Sequence, residues 1–212
     1  MRFPCGVALG ASLVAAGAPA AGDSPGAGPA SVGPVFHQLV RFTLPAPFKA
    51  AYEKTSGGYY LREHVPAGET VDDWSQMITL TATRDLATNE RATPEDFVHA
   101  LVRGFRSHCP DSFSSLELGA QSAGANTGYA AIVSCGHIEA GGKAHSEAAV
   151  MLTIKGSADY YTLQWTERGP DAKGAVPIDR NHWTGLLGRL NPIRLCPIVP
   201  GEAAPYPSCG GR

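Results

Sequence analysis

The sequence has few charged residues and no block of one sign. Asp, Glu, Lys and Arg make up 17% of the 212 residues, against about 25% in typical soluble domains. The net charge is −2, and no cluster of Lys or Arg provides the electrostatic footprint of a nucleic-acid-binding protein. Beyond the first twenty residues, no apolar run is long enough to span a bilayer. We therefore expect neither a nucleic-acid partner nor a transmembrane segment in the mature chain.

Familiar catalytic motifs are also missing. The chain has no Ser-x-x-Lys and no His-Glu-x-x-His, and its one Gly-x-Ser-x-Gly match, Gly22 to Gly26, lies in a Gly-, Pro- and Ala-rich stretch and not at the strand-to-helix turn of a hydrolase. It has no Cys-x-x-Cys pair, which disfavours thioredoxin-type redox chemistry and zinc-ribbon binding. These absences favour a non-enzymatic protein without a cofactor.

The N-terminus has the pattern of a secretory signal. Arg2 supplies a positive end, Gly6 to Ala18 is a short run of small and apolar residues, and Ala18-Pro19-Ala20 suits signal peptidase. The alternative, an uncleaved anchor, needs a longer and more apolar run. We predict a signal peptide over residues 1–20 and a periplasmic or secreted mature chain.

Cleavage would leave four cysteines, an even number that predicts two disulfides with three possible connectivities. We expect Cys109–Cys135 and Cys196–Cys209. In the first pair, Cys109 follows a predicted helix and Cys135 lies on a strand face that the helix can cover. The second pair would fix a Pro-rich tail. The rival bond between Cys109 and Cys196 would require both predicted helices on one side of the sheet.

Strand patterns occupy most of the chain after a Gly-, Pro- and Ala-rich stretch. We predict a disordered linker over 21–35, an α+β domain over 36–195, and a Pro/Gly-rich tail over 196–212 pinned by its disulfide. The clearest element is the hairpin from Ser146 to Arg168, where alternating apolar residues flank a Gly-Ser-Ala-Asp turn. We place this hairpin at the centre of the sheet.

Two segments have helical patterns. Thr93 is a cap followed by Pro94 and an apolar stripe that ends before His108, and Asp179 caps a second segment whose stripe includes Trp183. Because the strands follow one another through short turns, the sheet should be mostly antiparallel. The predicted fold is a single α+β domain, with a mostly antiparallel β-sheet packed by two α-helices.

A family resemblance rests on three stretches: Pro66 to Leu80 with its Gly-Glu-Thr-x-x-x-Trp pattern, the helix at Pro94 to His108, and the hairpin at Ile154 to Trp165. Together they resemble small exported bacterial domains of the PsbP-like/DcrB-like α–β–α sandwich type, over roughly residues 36 to 195. The resemblance implies a fold and an accessory role, and it implies no catalytic residue.

Two His/Glu pairs flank Gly141-Gly142 and form the candidate metal site: His137 with Glu139, and His145 with Glu147. Imidazole and carboxylate are real metal ligands. A two-residue turn, which Gly-Gly favours, pairs Ile138 with His145 and points the two His side chains to opposite faces. A loop with an odd number of residues would place His137 opposite His145.

Aromatic residues with a polar group supply the candidate ligand or partner surface. Strand alternation places one ring of each adjacent Tyr pair on each face, and we select Tyr60, Trp74 and Tyr160, the last as the outward ring of its pair. The alternative is that large aromatics such as Trp165 and Trp183 form packing contacts only.

The sequence favours an exported, periplasmic binding or accessory protein with an unknown protein partner or small ligand. It could belong to an envelope complex or neutralise a secreted toxin. The alternative is a metal- or small-ligand-dependent enzyme with a site near the 137–147 hairpin.

Overall fold

The computed structural model describes residues 28–140 and 143–210. The predicted signal peptide and residues 21–27 of the predicted linker lie outside these ranges. Ten strands, three α-helices and one 3₁₀ turn at Leu86–Thr88 follow in order. They are β1 (Ala30–Val35), β2 (Gln38–Thr43), β3 (Phe48–Ser56), β4 (Tyr59–Pro66), β5 (Gln76–Thr83), α1 (Pro94–His108), β6 (Phe113–Ala123), β7 (Asn126–Ala140), β8 (Lys143–Lys155), β9 (Tyr160–Gly169), α2 (Arg180–Arg189), β10 (Arg194–Pro197) and α3 (Pro207–Gly210).

Seven strands form one antiparallel sheet in the order β3-β4-β5-β9-β8-β7-β6. The predicted central hairpin is confirmed: β8 and β9 pair from Ser146↔Gly169 to Lys155↔Tyr160, and β9 is the middle strand of the order. The prediction of a mostly antiparallel sheet is therefore confirmed.

Helix α1 covers one face of this sheet, here called the helix face. The helix begins where predicted, because the Thr93 hydroxyl accepts a hydrogen bond from the Asp96 N–H at 3.0 Å and Pro94 occupies the first turn. Its apolar stripe, centred on the fully buried Val98, packs on small and flexible side chains of β7 and β8: Ala131, Val133, Ala149 and Met151. The short side chains let the helix approach the sheet closely.

The opposite face, here called the core face, carries the main hydrophobic core. The alternate residues of the same strands, such as Ile132, Val150 and Trp165, pack there against α2 and against a second sheet. This second sheet has three antiparallel strands in the order β1-β2-β10. The two main helices thus lie on opposite faces of the large sheet.

The second sheet corrects the predicted boundaries. Strand β1 lies inside the segment 21–35 that we predicted to be disordered, and Val35 at its end is buried. Its Pro34 is tolerated because β1 is an edge strand, where an N–H is not needed for pairing. Strand β10 likewise crosses the predicted boundary between domain and tail at 195/196.

Both predicted disulfides are present. Cys109 at the end of α1 bonds to Cys135 on β7, with Cα atoms 5.7 Å apart, and Cys196 on β10 bonds to Cys209 in α3, at 5.6 Å. Because α1 and α2 lie on opposite faces, the rival bond between Cys109 and Cys196 has no geometric basis. No helix in the described ranges is long and apolar enough to cross a membrane.

Candidate functional site

A groove of about 540 Å³ lies on the part of the helix face that α1 leaves open. The helix packs over β6, β7 and β8, whereas β4, β5 and β9 form the floor of the groove. Phe97 and Leu101 of α1 make one wall, and Val71 and Trp74 in the loop between β4 and β5 make the other. This combination of concave shape, aromatic walls and a few polar groups is typical of small-molecule sites.

The loop that carries Trp74 is fixed from within. The Glu69 carboxylate accepts hydrogen bonds from both the backbone N–H and the hydroxyl of Ser75, each at 2.7 Å. Trp74 also packs with Val65 and Met77 in a small apolar cluster. The Gly-Glu-Thr-x-x-x-Trp stretch thus has a clear structural role, because it holds one wall of the groove in place.

The floor of the groove is polar although its strands lie inside the sheet. The register places two rows across β4, β5 and β9 and a third across β5 and β9. The rows that reach the groove are Leu61–Thr81–Thr162, Glu63–Thr79–Gln164, and Met77–Thr166 on β5 and β9 alone. Hydroxyl and amide groups on a sheet face are costly to bury without partners. Thr162 and Thr166 are buried and hydrogen-bonded, to Thr153 and Gln164, whereas the groove leaves Thr79, Thr81 and Gln164 partly accessible.

One end of the groove is closed by a chain of charged and aromatic groups. Arg168 Nε donates to Glu147 Oε1 at 2.9 Å, and the Arg168 guanidinium lies 3.8 Å from the centre of the Trp74 ring. His145 Nε2 lies 2.8 Å from the same Glu147 oxygen. Charge pairing and cation–π stacking therefore hold Arg168 against the wall and neutralise it.

Two titratable groups in the groove have shifted pKa values. Burial raises the pKa of Glu63, with no other contributing group. Burial also raises the pKa of Tyr59, an effect that a hydrogen bond with Thr81 partly offsets. Removal of the charged form from water is the main cause of both shifts, and the charge of Glu63 adds to the raised pKa of Tyr59.

Of the three predicted ligand residues, only Trp74 lines the groove. The prediction that Tyr160 faces outward is wrong: the residue is 1% exposed, stacks on Phe97 at 5.6 Å and donates a hydrogen bond to the Ala92 carbonyl at 2.5 Å. Alternation correctly separates Tyr160 from Tyr161, but α1 covers the second face as well.

Tyr60 is also buried, which corrects its place on the predicted surface. Its ring lies on the core face in an edge contact with Phe36, at 6.4 Å between ring centres. Its hydroxyl donates to Glu53 Oε1 at 2.8 Å, and burial raises its pKa. The second sheet, which the sequence pattern did not indicate, covers this ring.

The structure does not bring the four predicted metal ligands together. The register pairs Ile138 with His145, as the two-residue turn predicted. His137 instead lies with Nδ1 2.6 Å from Asp171 Oδ1, whereas His145 contacts Glu147. Within residues 28–140 and 143–210, no cluster of three converging ligand atoms includes any of these four residues. A metal at this hairpin remains a hypothesis without geometric support.

The one cluster of three potential ligands in the described ranges is His37, Asp85 and Asp159. The Asp159 carboxylate is already saturated, since it accepts hydrogen bonds from the backbone N–H groups of His37 and Asp85 and from the Tyr161 hydroxyl, at 2.9–3.0 Å. Its lone pairs are therefore engaged in holding the chain together. This cluster is a structural junction between the β1–β2 turn and the end of β5.

Sequence reasoning missed the floor of the groove. Thr79, Thr81, Thr162, Gln164 and Thr166 recur at alternate positions of two strands, and the opposite face of both strands is apolar. This pattern on central strands indicates a second face that no core covers.

Comparisons with known proteins give little guidance. No protein-family model matches the chain, and no curated protein matches it. Among solved structures, the chain is similar to LpqN of Mycobacterium tuberculosis, which is described as involved in cell envelope biogenesis. The match has 13% identity and a TM-score of 0.43, and covers 79% of this chain and 92% of the other. A likeness this low transfers no function, so the function has to be inferred from the residues of this chain.

Proposed function

We propose that this protein is an exported, disulfide-bonded, non-enzymatic module that binds a small organic ligand in the groove beside α1. The observation that carries the proposal is the groove itself, with about 540 Å³ of space above a floor in which the side chains of Glu63, Thr79 and Gln164 are only partly buried. A volume in the range of about 300–1,000 Å³ suits a small molecule.

The distribution of exposed apolar residues favours a small ligand over a protein partner. The large hydrophobic residues that are exposed in the described ranges are Tyr52, Tyr59, Ile198 and Val199. They fall in two separate places, at the β3–β4 hairpin and in the tail, so they do not combine into the extended apolar patch of a stable protein interface. A role in an envelope complex or in toxin neutralisation would then act through the bound ligand.

Two features support export. The chain carries the pattern of a signal peptide before residue 21, and two disulfides join all four cysteines of the described ranges, which is typical of oxidising compartments. Intact-mass measurement of the exported protein should give a chain that begins near Ala21 with no free thiol. A mass that retains residues 1–20 would contradict the proposed export.

The binding proposal can be tested by NMR titration with soluble fragments that include sugars, alcohols, carboxylates and amines. We expect at least one class to shift the backbone amide signals of Thr79 and Gln164. Thr79→Trp should abolish this response because the indole would fill the floor of the groove. The matched control is Thr55→Trp, on the exposed strand β3 outside the groove lining, which should retain it. If no class of fragment perturbs the groove signals, the proposed function is wrong.

A further inference from the structure

The middle row of the groove floor has a short side chain between two long ones. Glu63, Thr79 and Gln164 lie directly opposite one another on β4, β5 and β9. Cross-strand neighbours of this kind have Cβ atoms about 5 Å apart. Two long side chains thus flank a short one, so both can reach a ligand atom that sits above Thr79.

The acceptor groups of this row are free of protein partners in the described ranges. Neither the Glu63 carboxylate nor the Thr79 hydroxyl takes part in a side-chain hydrogen bond, and Gln164 uses its Nε2 to donate to Thr166 Oγ1 at 2.7 Å. This bond fixes the amide orientation and leaves Gln164 Oε1 as the available end. The row therefore presents a carboxylate, a hydroxyl and an amide oxygen.

The charge of Glu63 is uncompensated. No ion pair in the described ranges includes it, although its side chain is half-buried. Arg168, the basic residue of the groove lining, is neutralised by Glu147. Lys54 shares the helix face because it pairs with Leu61, but it lies on the exposed edge strand and makes no ion pair with Glu63. An unpaired carboxylate in a partly desolvated groove favours a cation.

An aromatic ring extends the same row. Tyr52 on β3 pairs directly with Glu63, so both side chains lie on the helix face, and Tyr52 is 40% exposed. Aromatic faces attract cations that lie within about 6 Å of the ring centre. The row thus combines a negative charge, two neutral acceptors and an aromatic ring, with no free cation among them.

We propose that Glu63, Thr79 and Gln164 bind the ammonium group of a primary amine ligand, whose carbon chain lies along the apolar wall formed by Phe97 and Leu101. An ammonium group has three hydrogen-bond donors and no acceptor, which matches the three free acceptors of the row. This assignment rests on the proposed function of the groove and specifies its ligand class.

The test compares three six-carbon probes by isothermal titration calorimetry at neutral pH and low salt: hexylammonium, hexan-1-ol and hexanoate. We expect hexylammonium to bind at least about tenfold more tightly than hexan-1-ol, and hexanoate to bind most weakly. Glu63→Gln keeps the shape and removes the charge, so it should abolish the preference for hexylammonium over hexan-1-ol. Glu139→Gln, at an 80% exposed carboxylate outside the groove lining, is the matched control.

A second variant keeps the test decisive if Glu63→Gln folds poorly. Thr79→Val removes one acceptor without changing the charge, and should weaken hexylammonium binding severalfold. Equal affinity for the amine and the alcohol, or an amine affinity that Glu63→Gln leaves unchanged, would refute the amine assignment. A groove that responds to none of the three probes would also refute the amine assignment, whereas the proposed binding function fails only if no fragment class of the NMR titration perturbs the groove signals.

Discussion

Replacing Asp159 should destabilise the fold more than replacing any exposed carboxylate. Its side chain has no exposed surface and accepts hydrogen bonds from the His37 and Asp85 backbones and from the Tyr161 hydroxyl. His37 Nδ1 also lies 3.0 Å from both carboxylate oxygens. Asp85 and Phe36, the residue before His37, have positive φ angles of 60° and 53°. The carboxylate therefore fixes two turns whose backbone conformations are unfavourable for non-glycine residues.

The expected loss in the free energy of unfolding follows from the buried N–H and O–H groups that would lose their acceptor. Asp159→Asn keeps the volume but turns one acceptor oxygen into an NH₂ group that faces other donors. Breaking a buried charged network of this kind lowers the free energy of unfolding by about 3 kcal/mol. For a domain of this size, this corresponds to a decrease in Tm of roughly 6–12 °C. Asp171→Asn, at a carboxylate that is 41% exposed, should change the free energy of unfolding by less than about 0.5 kcal/mol.

The pH dependence gives an independent check. Burial alone would raise the pKa of Asp159, but the hydrogen bonds from Asp85, His37 and Tyr161 outweigh it and leave the pKa below its ordinary value. A carboxyl group with a lowered folded pKa stabilises the protein fully above its unfolded pKa of about 3.9, and loses this contribution as the pH falls through the folded pKa. The difference between wild type and Asp159→Asn in urea unfolding should therefore shrink below about pH 4. Equal unfolding free energies for Asp159→Asn and Asp171→Asn at pH 7 would refute the reasoning.

Three further predictions concern the scaffold. Replacing Cys109 or Cys196 by serine should lower the free energy of unfolding by about 3 kcal/mol in each case, because the two bonds close loops of 26 and 13 residues and so restrict the unfolded chain. Urea unfolding that matches wild type would contradict this. Deleting residues 21–27 should leave the Tm unchanged. Extending the deletion through Val35 should lower the Tm by several degrees, because β1 is lost. Equal Tm values for both truncations would count against the pairing of β1. Gly136→Ala should be strongly destabilising, because a Cβ at this position would overlap the Gly174 carbonyl oxygen. A Tm within about 1–2 °C of wild type, the range typical of surface substitutions, would contradict this close approach.

Local sequence patterns were sufficient for the large sheet and its helix. The alternation in Ser146–Arg168 and the cap at Thr93 are short-range signals, and both elements occur where they were predicted. Strand β10 is different: four residues pair with β2, for instance Leu195 with Val40. A strand this short, far along the chain from its partner, has no local signature, so the second sheet could not be predicted.

The site was harder to predict than the fold because burial depends on what covers each face. Alternation shows that Tyr160 and Tyr161 point to opposite faces, but it does not show that α1 covers one of these faces and the second sheet the other. The same limitation hid Glu63 and Thr79, which look like ordinary polar strand residues until α1 is placed. Only the position of the helix over β6, β7 and β8 shows which part of the face stays open.

A crystal structure of the protein with hexylammonium tests the central claim most directly. The account predicts the amine in the groove, with its nitrogen within hydrogen-bond distance of Glu63, Thr79 and Gln164 and its chain against Phe97. An ammonium group bound elsewhere on the protein at saturating occupancy, with the groove free of it, would contradict the account.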